Sequence, residues 1–148
     1  MPAGVKLIAV KRAYEEPTRG DGYRVLVDRL WPRGLKKSQA ALDAWLRDVA
    51  PSDELRHWFH ARPDCWLAFR KRYLKELTLP QAAKALEELY RLANKRKNLT
   101  LLFSSRNEQH NTAVVLRDLL QGMRKPPTGA GPGAVRSMRR QQAQRRPR

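Results

Sequence analysis

Two short apolar runs, far apart in the chain, place the strongest constraint on the fold. Residues 25–27 read Val-Leu-Val, and residues 99–103 read Leu-Thr-Leu-Leu-Phe. Each run has the composition of a strand that is covered on both faces. The residues between the two runs show helical spacing of their apolar side chains. Because so long a helical crossover joins parallel strands, we expect these two strands to pair in parallel.

A further strand is predicted near the start of the chain, where residues 5–11 alternate loosely and include β-branched side chains. The element order is then strand, strand, several helices, strand and helix. This order predicts the α/β class: a single small domain, residues 1–123, with a short, mostly parallel sheet of about three strands covered by several helices. Residues 124–148 are rich in Pro, Gly and Arg, so we expect a disordered basic tail.

Helical spacing and capping signals predict three helices in the first part of the crossover. Apolar side chains at positions 42, 45, 46 and 49 predict a helix that Ser38 caps and Pro51 ends. Ser52 is the expected N-cap of the second helix, with acids in its first turn. Pro63 suits the first position of the third helix, which carries an aromatic stripe.

Two more helices complete the expected order. Thr78 and Gln81 have the spacing of a capping box at the start of the fourth helix, and Asn98 tolerates a left-handed turn at its end. Apolar side chains between residues 113 and 123 predict the last helix, which Gly122 can end.

The chain is strongly basic, with a formal net charge of +17. Residues 1–120 carry 23 basic and 14 acidic side chains, whereas residues 121–148 carry eight basic side chains and no acidic one. Such a balance favours polyanions as partners, although a solubility role explains it equally well. The basic run at residues 70–75 fits a solvated helix face better than a nucleic-acid grip. Three of the four tryptophans, at positions 45, 58 and 66, lie on predicted apolar helix faces and favour core packing over base stacking.

Cysteine usage and hydropathy predict the compartment. With Cys65 as the single cysteine, neither an intrachain disulfide nor a thiolate zinc site can form. The sequence contains no signal-peptide pattern and no run of about 20 apolar residues. We therefore expect a cytoplasmic protein without membrane contact.

The first candidate site follows the second predicted strand. Asp28 and Arg29 come directly after it, and Arg24 and Arg33 lie on either side. The carboxyl ends of strands are where ligands usually bind in open α/β sheets. One interpretation is a structural ion pair between Asp28 and Arg29 that fixes the loop. In the other, Arg29 and Arg33 hold an anion while Asp28 orients an arginine or acts as a base.

The second candidate site follows the strand at residues 99–103. Ser105, Arg106, His110 and Asn111 lie where this strand leads into the last helix. Backbone N–H groups at that helix start, hydroxyls and a guanidinium could hold a phosphate or carboxylate. If the two strands are neighbours, Asp28 and the arginines converge with His110. Alternatively, Ser105 or Asn107 simply caps the last helix, and His110 lies on its exposed first turn.

Known catalytic templates do not match. The chain contains no dinucleotide fingerprint, no phosphate loop and no His-Glu-x-x-His motif. A triad of Ser105, His110 and Asp28 can be imagined, but no Gly-x-Ser-x-Gly elbow supports it. No histidine spacing selects a metal site, so neither a metal nor another cofactor is expected.

Residues 24–34, Arg-Val-Leu-Val-Asp-Arg-Leu-Trp-Pro-Arg-Gly, resemble the signature of the YeaO-like family of uncharacterised bacterial proteins, a domain of unknown function (DUF488). The resemblance extends over nearly all of residues 5–120, through the segments 42–46, 50–52, 55–59, 69–73, 101–103 and 110–116.

The resemblance implies a small cytoplasmic α/β domain with two segments of recurring polar positions. These are Asp28, Arg29 and Arg33 in the first segment, and Arg106, His110 and Asn111 in the second. The resemblance implies no established reaction. This chain has Asn107 where the family commonly has an acid. It reads His-Ala-Arg-Pro at residues 60–63 where the family commonly has His-Asp-Pro. Both changes weaken an acid–base or metal role.

Three hypotheses follow. The first is a domain that binds a small anionic or phosphorylated ligand, with or without turning it over, with Arg29, Arg33, Ser105, Arg106 and Asn111 as ligand-binding residues. Asp28 and His110 are its catalytic candidates. The second is a nucleic-acid accessory protein that uses the basic surface and tail. The third is a protein-interaction or regulatory domain without a catalytic site. The sequence does not indicate an oligomeric state.

Overall fold

Four parallel strands form one sheet in the order β1-β4-β2-β3. The computed structural model describes residues 7–122, so the expected tail from residue 124 lies outside the described residues. The strands are β1 (Leu7–Arg12), β2 (Tyr23–Leu26), β3 (Ala44–Trp45) and β4 (Asn98–Phe103). The predicted parallel pairing is confirmed, with β4 between β1 and β2. The two-residue strand β3 at the sheet edge was not predicted.

The register divides the strand residues between two faces of the sheet. Val25 lies beside Leu101, and Leu26 lies beside Leu102. Because side chains alternate along a strand, Val25 and Leu101 point to one face and Leu26 and Leu102 to the other. All four side chains are fully buried. The prediction that these strands are covered on both faces is therefore confirmed.

Helices cover the face of Val25 and Leu101, which we call the helix face. The helices are α1 (Lys37–Ala40), α2 (Asp53–Ala61), α3 (Trp66–Glu76), α4 (Pro80–Lys95) and α5 (Thr112–Gly122). All of them except α1 contribute to one large apolar cluster on this face. Its buried helical members include Leu55, Phe69, Tyr73, Leu86, Leu89, Val115 and Leu116.

Irregular segments cover the opposite face, which we call the loop face. Residues 13–22 and 29–43, before and after β2, supply most of the cover. A small apolar cluster forms around the buried Ala13, Leu26 and Leu102, with partly buried side chains packed against it: Trp31, Leu35, Leu42 and Trp45. The sheet therefore has one helical layer and one layer of loops.

Asp21 is the centre of a buried polar network on the loop face. Its carboxylate accepts hydrogen bonds from Lys11 Nζ at 2.9 and 3.0 Å and from Arg24 Nη1 at 2.5 Å. The Thr18 backbone N–H and hydroxyl also donate to it, and its backbone oxygen accepts from the Thr100 hydroxyl. Burial raises the pKa of Asp21, but the hydrogen bonds from Thr18, Lys11 and Arg24 outweigh burial and hold it well below its usual range.

The predicted helix between Ser38 and Pro51 is wrong. Helix α1 ends after one turn, since Ala41 adopts a left-handed conformation with φ 47°. The chain then runs along the sheet edge as β3, and a short 3-10 helix follows at Arg47–Val49. The helical spacing was misleading because Leu42 and Trp45 pack on the loop face, whereas Leu46 and Val49 pack on the helix face.

Helix starts are predicted with mixed success. Ser52 is confirmed as the N-cap of α2, because its hydroxyl accepts the Leu55 N–H at 3.1 Å. Pro63 does not begin α3, which starts at Trp66. The capping box of Thr78 and Gln81 is also wrong: α4 starts at Pro80 after Leu79, and the Gln81 side chain donates to Asp48 instead. Asn98 is the first residue of β4 rather than a left-handed turn.

Candidate functional site

The carboxyl ends of β1, β2 and β4 meet at one edge of the sheet, because the three strands are parallel neighbours. Asp28, after β2, accepts hydrogen bonds from Ser104, after β4. Arg12, at the end of β1, donates to the backbone oxygens of Ser104 and Ser105 at 2.9 and 3.0 Å. The loops after the strands are thus tied together at what we call the carboxyl edge, as expected for a parallel sheet.

Asp28 connects the two central strands. Its Oδ2 accepts the Ser104 backbone N–H at 2.8 Å and the Ser104 hydroxyl at 2.7 Å. Its backbone oxygen accepts the Trp45 indole N–H at 2.7 Å. Burial raises the pKa of Asp28, while the hydrogen bonds from Ser104 and the charge of Arg56 oppose that rise. The effect of burial is the largest, so the pKa of Asp28 lies above that of an exposed aspartate.

Arg29 does not pair with Asp28, so the predicted ion pair is wrong. Arg29 Nε donates to the Pro51 oxygen and Nη2 to the Ala50 oxygen, both at 3.1 Å. These bonds hold the segment that leads into α2 against the end of β2. Arg29 is therefore largely engaged in positioning α2, which leaves less of its guanidinium for a ligand.

Arg33 and Arg106 are the two exposed arginines among the predicted ligand-binding residues. The Arg33 backbone oxygen accepts the Tyr14 hydroxyl at 2.8 Å, which fixes its loop. Within residues 7–122, neither guanidinium donates a hydrogen bond or forms an ion pair. Both side chains are free to contact a ligand as far as the described residues show.

The loop after β4 is ordered by its own side chains. Ser105 Oγ accepts the Asn107 N–H at 3.1 Å. Asn107 Oδ1 accepts the N–H groups of Gln109 and His110. Asn111, which is 4% exposed, accepts the Val114 N–H at 3.0 Å and thereby caps α5. The expectation that Ser105 or Asn107 caps this helix is therefore wrong.

His110 stacks on Trp66 of α3, with the ring centroids 4.5 Å apart and the planes 9° apart. The histidine is half-buried, so it does not lie on an exposed first turn. The imagined triad is not assembled. Ser105 binds a backbone N–H, Asp28 binds Ser104, and among the described residues no hydrogen bond links His110 to either of them.

Arg56 on α2 is a further candidate site residue, which the sequence alone did not indicate. Its Nη2 donates to Asp53 Oδ1 at 3.2 Å. Its Nε is buried and has no hydrogen-bond partner in the described part of the chain. The charge of Arg56 acts on Asp28. The available signal was its position in the family-like segment 55–59, one turn after the helix cap.

Two open grooves lie along α4, away from the residues predicted as the site. One has a volume of about 390 Å³, and its lining includes Trp45, Arg47 and Ala85. The other measures about 700 Å³ and is lined by side chains of both charges, among them Lys84, Glu88 and Arg91. Nothing in their lining selects one kind of ligand.

Residues 7–122 contain neither a cluster of metal-binding side chains nor a membrane-spanning helix. No three side chains of His, Cys, Asp or Glu type come together there in a group that could hold a metal ion. In the same range, no helix combines the length and apolar character needed to cross a bilayer.

Together, the fold and the carboxyl edge define a small α/β domain with a half-buried aspartate among several arginines. The chain belongs to the DUF488 family: the family model described as "Inactive DUF488-N3 subclade" (DUF488-N3i) matches residues 7–130. The family predicted from residues 24–34 is thereby confirmed.

The relatives agree with this assignment. The chain is 46% identical over 118 residues to "Uncharacterized protein YeaO" of Escherichia coli K12, covering 78% of this chain and 98% of that protein. It is 41% identical over 115 residues to "Uncharacterized protein Mb3100c" of Mycobacterium bovis, covering 78% of this chain and 94% of the relative. The same values hold for "Uncharacterized protein Rv3073c" of Mycobacterium tuberculosis H37Rv. The comparison with solved structures found no match.

Proposed function

We propose that this protein binds a small anionic ligand, bearing a carboxylate or phosphate, at the carboxyl edge of its sheet. Arg56 and Arg106 are the principal ligand-binding residues in this proposal, and Arg33 adds positive charge at the rim. Asp28 and Ser104 form the floor between the strand ends.

The buried Nε of Arg56 is the observation that carries the proposal. A guanidinium N–H that is removed from water and lacks an acceptor costs about 1–3 kcal/mol. Such a group in a folded protein calls for an explanation, and a missing acceptor is one. Arg56 Nε has no acceptor within residues 7–122. A carboxylate or phosphate oxygen that displaced the side chains covering Nε would satisfy this donor and form a strong, charge-assisted hydrogen bond.

The surrounding charges support an anion rather than a cation. Arg33 and Arg106 are exposed at loops of the same edge. Asp28 is half-buried with a raised pKa, and its Oδ2 is already engaged by Ser104. A carboxylate oxygen that already accepts two hydrogen bonds repels an incoming anion less than the oxygen of a free carboxylate would.

Binding without chemical turnover fits this edge better than catalysis does. The matching family model carries the description "inactive". Arg29 holds backbone oxygens before α2, and Asn111 caps α5, so two of the expected ligand-binding residues have structural partners. The Ser104 hydroxyl donates to Asp28, and the ring of His110 is stacked on Trp66. Within residues 7–122, these engagements do not link a serine hydroxyl to the His110 imidazole, as a Ser-His-Asp triad requires.

The test is thermal unfolding of the full chain in sodium phosphate against sodium chloride of matched ionic strength. A ligand at ten times its Kd stabilises the folded state by about 1.4 kcal/mol. We expect phosphate to raise the Tm, and Arg56→Gln and Arg106→Gln to reduce or abolish this rise.

Arg117→Gln is the matched control, because Arg117 lies on α5 and pairs with Asp118. It should keep the full response to phosphate. An equal phosphate response in all four proteins would show a general salt effect and contradict the proposal. Urea unfolding without phosphate separates a lost site from a lost fold.

A further inference from the structure

A second basic feature lies on helices α2 and α3, centred on Trp58. The guanidinium carbon of Arg72 lies 4.1 Å from the centroid of the Trp58 ring, and that of Arg62 lies 5.4 Å from it. Both arginines are exposed, and Trp58 is half-exposed. We call this group, Trp58 with Arg62 and Arg72, the tryptophan clamp.

The two guanidiniums of the clamp lack acidic partners. Neither forms an ion pair or donates a hydrogen bond within residues 7–122. The residues outside this range contain no Asp or Glu, so they offer no acidic side chain either. Glu54 is four residues before Trp58 on the same side of α2, but it pairs with neither arginine. The clamp therefore presents two positive groups without internal neutralisation.

Stacking on the indole prepares these groups for an anion. A guanidinium held over an aromatic ring gains cation–π energy and loses freedom in advance, while its N–H groups still point outward. Such a fork can bind phosphate oxygens in pairs. Lys75, three residues after Arg72, lies on the same side of α3 and is exposed. Successive cations along this side match the repeated charges of a polyanion.

We infer that the tryptophan clamp binds the phosphodiester backbone of nucleic acid. An acidic polypeptide is less well matched, because the core of a protein interface also buries apolar side chains, and the exposed leucine of α3 does not lie beside Arg72. The exposed Leu67 is five residues before Arg72, which places it on a different side of α3. Base stacking is also disfavoured, since the Trp58 ring already carries the two arginines. Contact with phosphates requires neither an apolar anchor nor an uncovered tryptophan ring. The net charge of +17 also attracts a polyanion such as nucleic acid.

The experiment measures binding of the full chain to a labelled single-stranded DNA of about 20 nucleotides by fluorescence anisotropy, at salt concentrations from about 50 to about 200 mM. We expect Arg62→Gln/Arg72→Gln to weaken binding about tenfold at the lowest salt. The slope of log K against log salt is negative, and the loss of two phosphate contacts should make it shallower by about 1.4.

The control is Arg91→Gln/Arg117→Gln, which removes the same charge from an exposed position of α4 and a half-exposed position of α5. It should bind almost as tightly as the unchanged protein. Equal losses in the two double variants would mean diffuse attraction and would overturn the clamp. Unchanged binding in both would assign the contact to another part of the chain and also overturn it.

Two further measurements complete the test. Trp58→Leu keeps both charges but removes the platform, so we expect weaker binding with an unchanged circular dichroism spectrum. Tight binding of poly-glutamate without binding of DNA would identify an acidic polypeptide instead and overturn the inference. The response to phosphate through Arg56 is measured separately, so failure of either proposal leaves the other intact.

Discussion

The two faces of the sheet bury similar strand residues by different means. On the helix face, four helices satisfy their own backbone hydrogen bonds and contribute mainly apolar side chains. On the loop face, irregular segments bring unpaired backbone groups close to the sheet. Buried backbone polar groups need partners. Arg24 supplies them, since its guanidinium donates to the Ala40 and Ala41 oxygens as well as to Asp21.

This difference explains why, in the part of the chain that the structure describes, the buried charged residues lie on the loop face. Asp21 and Arg24 are 6% and 4% exposed, and both belong to the loop face. They fix loops that have no helical backbone to hold them. We expect the stability of the helix face to depend on how completely its apolar side chains fill the core. We expect the stability of the loop face to depend on whether each buried polar group keeps its hydrogen-bond partner.

The largest predicted effect is that of Asp21→Asn, which leaves Lys11 and Arg24 without their carboxylate. Removing one partner of a buried pair costs about 3–5 kcal/mol. Urea unfolding of the full chain measures this loss. Asp118→Asn is the control, because its pair with Arg117 is exposed, and it should change stability by less than about 0.5 kcal/mol. Similar losses in both variants would refute the structural role of the loop-face network.

A neighbouring pair in β4 compares apolar packing on the two faces directly. Leu101 and Leu102 are both fully buried but belong to different clusters. We expect Leu101→Ala to destabilise by about 4 kcal/mol and Leu102→Ala by about 2–3 kcal/mol, because loops relax into a cavity more readily than packed helices. Unfolding free energies of the two variants test the order. The reverse order would mean that the loop face is the more rigid one.

Acid should weaken the loop face through Asp21. Its pKa is lowered in the folded state, so its contribution is complete above the unfolded value near 4 and is lost as pH falls below it. We expect the stability difference between the unchanged protein and Asp21→Asn to shrink by about 1.5 kcal/mol between pH 4 and pH 2.5. A difference that stays constant with pH would contradict this.

The smallest predicted effect is that of Asp28→Asn at the carboxyl edge. An amide oxygen can still accept both hydrogen bonds from Ser104, so we expect a change of less than about 1 kcal/mol at pH 7. The pKa of Asp28 is raised in the folded state, so the unchanged protein loses folding stability as pH rises above about 4. The Asp28→Asn variant has no group that titrates at this position and does not show this loss. The variant should gain relative stability from pH 4 to pH 7. A loss above about 2 kcal/mol would show that the negative charge itself is required.

Local patterns predicted the parts of the fold that depend on near neighbours. The apolar runs located β1, β2 and β4, and Ser52 was correctly read as a helix cap, because one hydroxyl and one N–H three residues away decide that feature. The segment from residue 38 to residue 51 was misread. Its spacing matched a helix, but pairing with β2 and burial on both faces outweighed that local preference.

The sequence predicted where the candidate site lies but not which residues contact one another there. That residues after β2 and β4 meet follows from parallel pairing. That Asp28 binds Ser104, that Arg29 binds the Ala50 and Pro51 oxygens, and that the charge of Arg56 acts on Asp28 depends on segments from distant parts of the chain. Sequence spacing carries no information on such contacts.

The sequence alone determined the α/β class, the parallel crossover, the family and the basic character of this protein. Each of these follows from the periodicity of apolar residues, from a sequence motif or from the charge count, all of which depend only on the order and type of the residues. The packing of the folded chain established that one sheet face is covered by loops and that Asp21 rather than Asp28 pairs with Arg24. It also established that Arg56 Nε is buried without a hydrogen-bond partner among residues 7–122. The physical reason is that burial and hydrogen-bond partners are properties of packed segments, and packing is settled only when distant segments meet.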